Sequence, residues 1–498
     1  MLADGFLMIL SQPATLAIIF GTVVIGIIFG AIPGLSATMA IAMCLPITYG
    51  MSSINGIAAM IGLYIGGISG GLISAILLNM PGTPSSIATC FDGRPMALKG
   101  EAGKALGTGI VFSFLGTIIS IFALVTIAPP LAEMAIKFGP FEYFSVTIFA
   151  LSLIITLTGK SLVKGLMMGV FGIMLSTVGL APVDNVARYT FGIIQFKSGF
   201  DILTVLVGLY AISEIFENAN NTTVLNRSQI ESNVKIKGFG FSMKEFTGQI
   251  VNLIRSTAIG IAIGILPGIG GGTSNILAYT AAKNQSREPE KFGTGIMDGV
   301  VASEAANNAT VGGAIIPLLT LGIPGDSVTA MMLGGLIIHG ITPGPLIFQQ
   351  NGQMVYAIFA AMIVASIAML ITEFLGLRIF VKILRVPKHI LLPLIFVLCA
   401  VGAFGLNSRV FDIWATLIFG IIGYLLLKFG FPLPPLILGF ILGRTMEINL
   451  RRGLMYSNGD FLEFFRQPIS LIFILLTVLS LLLSVRKLKK QKLEKYTY

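Results

Sequence analysis

The chain has 498 residues, 55% of them hydrophobic and only 11% charged, with a formal net charge of +10. A soluble protein carries about 25% charged residues, so most of this chain faces something other than water. Its apolar residues run in continuous blocks of bilayer length, which excludes a soluble enzyme, a secreted domain and a transmembrane β-barrel with alternating strands.

The pattern predicts an all-α polytopic membrane protein with about 12 or more transmembrane helices. Full spans are expected near 14–32, 55–79, 105–128, 141–158, 161–181 and 199–216. They resume near 250–266, 298–322, 327–349, 354–376, 390–406, 411–428 and 468–485. Shorter apolar pieces at 35–49, 273–283 and 432–443 read as half-helices or re-entrant segments. The N-terminus, Met1 to Asp4, has no basic n-region, so the first apolar block is expected to stay as a span. The organisation expected is a first membrane repeat (1–216), a polar linker (217–249), a second membrane repeat (250–485) and a basic tail (486–498).

The tail holds Arg486, Lys487, Lys489, Lys490, Lys492 and Lys495, which places the C-terminus in the cytoplasm. The basic residues sit in loops and this tail rather than on a folded face, so nucleic acid is not the partner. Cys44, Cys90 and Cys399 have no ligand spacing and read as core residues. Gly159-Lys160-Ser161 lacks the first glycine of a phosphate loop, because Ile154 stands there, so the chain does not bind ATP in that way. His339 and His389 are isolated and read as packing or interfacial residues; Trp414, Tyr424 and Tyr143 suit interface anchors. Asp92-Gly93-Arg94-Pro95 reads as a plain polar loop.

Two features occur twice. Gly26-x3-Gly30-x2-Pro33-Gly34-x-Ser36-x-Thr38 matches Gly260-x3-Gly264-x2-Pro267-Gly268 with Gly270, Gly271, Gly272, Thr273, Ser274 and Asn275. Gly70-Gly71 followed by Asn79-Met80-Pro81-Gly82-Thr83-Pro84-Ser85-Ser86 matches Gly312-Gly313 followed by Gly322-Ile323-Pro324-Gly325-Asp326-Ser327. The offset is 234 residues at the first feature and 242–243 at the second. Proline removes a backbone donor and clashes with the preceding turn, and glycine permits a sharp change of direction. Each Pro-Gly is therefore expected to break a helix inside the membrane. Broken helices at matching positions of two halves point to a transporter's midplane site.

Around these breaks lie small hydroxyl and amide residues and no Lys or Arg. A helix that restarts after a break offers free N–H groups and a positive dipole end to a carboxylate. The expected substrate-binding residues are Pro33, Gly34, Ser36, Thr38, Pro81, Gly82, Thr83, Ser85, Ser86, Gly268, Gly270, Gly271, Thr273, Ser274, Asn275, Pro324, Gly325 and Ser327. Carbonyl and amide oxygens at the broken ends suit Na⁺. The expected cation-binding residues are Asn79, Glu304, Asn307, Asn308, Thr320 and Asp326. Glu304 is the telling one, because an intramembrane acid is expensive; it suits Na⁺ as a carboxylate or H⁺ if burial favours its neutral form. Asp326 equally suits a helix cap.

Taken together, Ile32-Pro33-Gly34-Leu35-Ser36, Asn79 to Ser86 with Phe91-Asp92-Gly93, Leu266-Pro267-Gly268-Ile269-Gly270 with Thr273, and Gly322 to Asp326 resemble the TctA family. These are the large membrane subunits of tripartite tricarboxylate transporters. The resemblance implies a secondary transporter of the bacterial inner membrane that imports carboxylates such as citrate with Na⁺ or H⁺. It also implies a small TctB-like membrane subunit and a TctC-like periplasmic solute-binding protein, and no organic cofactor. A passive anion channel, a membrane enzyme acting on lipid-linked substrates and a scaffold subunit are the rival readings.

Overall fold

The computed structural model describes residues 2–158, 161–220, 239–383 and 388–496. Residues 221–238 of the linker expected from the sequence lie outside them. The chain is almost entirely helical. Its first part forms α1 (Leu2–Leu10), α2 (Pro13–Ala31), α3 (Ala37–Tyr49), α4 (Ser53–Leu78), α5 (Ile87–Met96), α6 (Ala102–Ile136), α7 (Pro140–Thr158), α8 (Leu162–Ser176), α9 (Ile202–Leu206) and α10 (Ser213–Asn220). Next come α11 (Met243–Gly248), α12 (Ile250–Ile265), α13 (Gly270–Gln285), α14 (Met297–Leu321), α15 (Ser327–Ile338), α16 (Ile347–Gln350) and α17 (Gly352–Ile383). The last are α18 (Lys388–Asn407), α19 (Val410–Lys428), α20 (Leu433–Tyr456), α21 (Glu463–Arg466) and α22 (Pro468–Tyr496). A two-residue antiparallel pair joins β1 (Gly179–Leu180) to β2 (Ala187–Arg188).

Among the described residues, seven stretches are long and apolar enough to cross a membrane: Pro13–Ala31, Ser53–Leu78, Pro84–Ile136, Ile202–Ala219, Gly352–Leu377, Val410–Lys428 and Pro468–Arg486. Shorter apolar helices lie between them. The all-α polytopic membrane class therefore holds. Three expected elements differ in detail. The span expected over 327–349 stops at Ile338, because Gly340 (φ 76°), Pro343 and Gly344 (φ 148°) turn the chain. The short segment expected at 432–443 is the first half of the 24-residue α20. Its polar half continues because Glu447 pairs with Arg188 at 2.7 Å and with Arg451 at 2.9 Å. The polar loop expected at Asp92 belongs to α5, and the chain turns later, at Gly100 (φ 81°).

The helices pack as two units. The first is built from Met1–Ala132 with Tyr210–Arg409, the second from Glu133–Leu209 with Val410–Tyr498. In the second unit α8 lies on α20 and α7 on both α20 and α22. The approach of α8 to α20 is set by glycine: a Cβ on Gly172 would come 2.0 Å from the Leu436 carbonyl oxygen. Ser145 and Ser470 share a hydrogen bond of 2.6 Å between α7 and α22.

The first unit holds both copies of the Pro-Gly pattern. The four Pro-Gly dipeptides of the repeated pattern fall between helices, as expected: after α2, α4, α12 and α14. Local chemistry explains each end. α4 closes on Asn79 and α14 on Gly322, both left-handed (φ 56° and 69°), the conformation that Gly and Asn tolerate best. α3 starts at Ser36, whose hydroxyl accepts from the Met39 N–H at 3.2 Å.

Packing repeats as the sequence does. α2 lies on α4 as α12 lies on α14. A Cβ on Gly30 would stand 2.2 Å from the Gly67 carbonyl oxygen, and one on Gly264 would stand 2.8 Å from that of Thr310. Likewise Gly82 abuts the carbonyl oxygen of Gly30, and Gly325 that of Gly264. Such backbone-on-backbone contact is how membrane helices gain dispersion energy without a hydrophobic drive. The contacts also correct one register. Gly70 meets Ile27 and Gly313 meets Ile261, so Gly70 is the counterpart of Gly313, not Gly312, and the offset of 243 holds along α4 and α14.

Candidate functional site

The breaks of one repeat meet those of the other. Thr38, near the start of α3, shares a 3.1 Å hydrogen bond with Ser327 at the start of α15. Asn275 of α13 donates its amide to the Ser85 carbonyl before α5. Within the second repeat, the Gly268 N–H donates to the Gly325 carbonyl at 2.8 Å, joining its two breaks directly.

The two restarts that follow α4 and α14 are built alike. Thr83 donates its N–H to Ser86 Oγ at 3.3 Å, and Asp326 donates its N–H to Thr329 Oγ1 at 2.9 Å. The second one carries an acid of its own: Asp326 Oδ1 accepts from the Thr329 N–H at 2.7 Å, and Oδ2 accepts from Tyr64 at 2.6 Å. Asp326 is thus a helix cap with its carboxylate already engaged. The α13 restart differs. No side chain caps its first turn, which is Gly270-Gly271-Gly272. A Cβ on Gly271 would stand 2.6 Å from Asn307 Oδ1 and 2.8 Å from Ser85 Oγ. An uncapped first turn leaves N–H groups and the positive end of the helix dipole for another partner.

A second group lies on α14. Glu304 is fully buried; one carboxylate oxygen accepts from Thr89, the other from Ser113 at 3.0 Å and from Asn308 at 3.3 Å. Asn308 also donates to Ser113 at 2.8 Å. Asn307 and Asn308 are fully buried too, and the side-chain carbonyl oxygens of Asn275, Asn307 and Asn308 have no hydrogen-bond partner in the protein. Buried oxygens without a donor are costly, and a cation is one way to satisfy them.

Several expected residues stand apart from both groups. Asn79 is an exposed left-handed cap, Pro81 and Thr273 are exposed, and Thr320 back-bonds its own helix at Ile316. Ser86 bonds the Thr83 carbonyl of its own turn, whereas Ser274 bonds the Gly271 carbonyl and, at 3.3 Å, that of Ala306 on α14 beside Asn307. Pro33, Pro324 and Gly325 are buried in the breaks. Ser36 and Gly34 face a partner that the sequence reading overlooked: Ser36 donates to Glu214 at 2.8 Å, and Gly34 O accepts from Asn218 at 2.5 Å.

Other residues were missed. Tyr64 and Ser113 sit in apolar spans with nothing around them in sequence to mark them. Asp92 is fully buried. Its Oδ1 accepts from the N–H groups of Gly293, Gly295 and Ile296 at 2.7–3.0 Å, and its Oδ2 accepts from Tyr279 at 2.8 Å. It holds the long 286–296 connection of the second repeat onto α5 of the first. Glu373 is buried on α17, and a lone acid in an apolar run was a legible signal. Outside the spans, the Lys104 ammonium at 2.5 Å and the Ser242 donors hold the Glu245 carboxyl down to about 2.

The model of the tripartite tricarboxylate transporter TctA family matches residues 16–438, a stretch that covers both copies of the Pro-Gly pattern and every residue of the two groups. The chain belongs to the TctA family. Two relatives of this TctA protein come from Agrobacterium vitis. An uncharacterised 52.8 kDa protein of the TAR-I ttuC' 3' region is 38% identical over 459 residues, 92% of this chain and 90% of its own length. An uncharacterised protein of the TAR-II ttuC' 3' region is 36% identical over 236 residues, 47% of this chain and 98% of its own length. No solved structure matches. The TctA protein is accordingly a multi-pass membrane component of a tripartite tricarboxylate transporter.

Proposed function

We propose that this TctA protein is the translocating subunit of a secondary importer of carboxylates, a tricarboxylate such as citrate or a related di- or tricarboxylate. It works in the bacterial inner membrane, with its C-terminus in the cytoplasm, a small TctB-like subunit beside it and a TctC-like periplasmic binding protein delivering the substrate. The observation that carries the proposal is the uncapped, glycine-only first turn of α13, set against Ser85 just before α5 and Asn307 of α14. A carboxylate there accepts backbone N–H and hydroxyl hydrogen bonds without a buried Lys or Arg. The coupling cation, Na⁺ or H⁺, belongs at Glu304 with Asn307 and Asn308, whose two amide oxygens are buried without a donor.

Opposite charges then occupy neighbouring positions on α13 and α14, so each ligand lowers the electrostatic cost of the other. The test is uptake by proteoliposomes that contain both membrane subunits, with labelled carboxylates and the binding protein outside and an imposed Na⁺ or H⁺ gradient. Accumulation that saturates and follows one gradient supports the carrier. Uptake that neither saturates nor responds to any gradient identifies a passive channel instead.

A further inference from the structure

Glu373 is a second buried acid that the proposed carrier cycle has not used. Its side chain is fully buried on α17. Oε2 accepts from the Ser69 hydroxyl at 3.0 Å, and Oε1 has no partner. The helices packed on α17 are α1, α2, α4 and α16. Of these, α2, α4 and α16 carry no Asp, Glu, Lys, Arg or His. α1 carries only Asp4, and its neighbour Gly5 meets Tyr356, 17 residues before Glu373 on α17. That spacing is about 25 Å of helix. Phe239 meets Phe374 and leads into Glu245, which is paired with Lys104. On α17 itself Lys382 is exposed. Among the described residues, the charged group that acts on Glu373 is Glu304, whose carboxylate repels its own.

A lone carboxylate in such surroundings is costly, whereas a neutral carboxyl is not. The link to Glu304 is short. Ser69 follows Ile68, whose carbonyl accepts from the Asn307 amide at 3.5 Å. The partner of Glu373 and the residue that bonds Asn307 are thus consecutive on α4.

We propose that Glu373 is a proton carrier distinct from the cation site: it holds a proton while Glu304 is an unneutralised carboxylate, and releases that proton once a cation neutralises Glu304. In the release, the O–H bond of the Glu373 carboxyl breaks, its electron pair stays on the carboxylate, and water takes the proton as hydronium. Ser69 then donates to the charged oxygen. The inference rests on the carrier reading above.

Two measurements test it. In proteoliposomes given labelled citrate, Glu373→Gln is expected to keep citrate counterflow and to lose the response of uptake to an imposed pH gradient. A Glu373→Gln protein with the wild-type pH response overturns the proposal. Independently of any substrate, a hydrophobic carbodiimide, which reacts with protonated buried carboxyls, is applied to the purified complex. Mass spectrometry is expected to find the adduct on Glu373, falling at least about tenfold from about pH 6 to about pH 9, with Na⁺ shifting that fall to lower pH. No adduct, or one unchanged by pH and Na⁺, overturns it. If wild-type citrate uptake itself is absent, the citrate assignment fails, and the labelling result alone decides the role of Glu373.

Discussion

Tyr64 and Asp326 stand 262 residues apart in the chain, yet the tyrosine hydroxyl donates to the aspartate at 2.6 Å. The bond ties the long helix of the first repeat to the restart of the second. Tyr64→Phe would leave Asp326 Oδ2 buried and without this donor. The expected loss is about 1–3 kcal/mol of stability, read as a lower thermal midpoint in detergent. A variant as stable as wild type would show that this contact contributes nothing.

Asn79 separates a structural role from a ligand role. Its φ of 56° is left-handed, so Asn79→Gly should match or exceed wild-type stability, while Asn79→Ala should lose about 1 kcal/mol. Both variants should retain uptake. Loss of uptake in both, with stability intact, would restore Asn79 as a cation ligand.

Asp92 accepts three backbone N–H groups of the 293–296 turn. Asp92→Asn removes the charge that strengthens those bonds. It should destabilise the protein by about 2 kcal/mol or more. It should also open the 286–296 connection to trypsin at Arg287 and Lys291. Unchanged cleavage would mean that the connection is held by other contacts.

Gly271→Ala adds a methyl group at the head of α13 without a positive-φ penalty, close to Asn307 Oδ1 and Ser85 Oγ. Those side chains must give way, so the protein should fold. Carboxylate uptake should fall at least about tenfold through a higher KM. Wild-type KM in a folded Gly271→Ala protein would move the anion away from α13.

How much of this could be read from the sequence depends on range. The breaks were legible because Pro and Gly act on their own backbone, so Pro33, Pro81, Pro267 and Pro324 mark helix ends without any tertiary knowledge. Glu304 was legible because an acid inside an apolar run is rare. By the same rule Glu373 and Glu214 were legible and were passed over. Tyr64 and Ser113 could be placed only by knowing which helix faces which. Asn79 and Asp326 were placed in the right segments, but their chemistry is capping, a role that a polar residue after a helix break shares with ligand binding. The 327–349 span failed because Gly340 and Gly344 turn the chain in a segment whose overall hydropathy still looked continuous.

The interlocked glycine faces of α2 on α4 and of α12 on α14 have a kinetic corollary. Main chain resting on main chain leaves no side chain free to rotate and let one helix slide past its mate. In the proposed carrier cycle each pair is therefore expected to travel as a single stiff lever, with bending at the joints between levers.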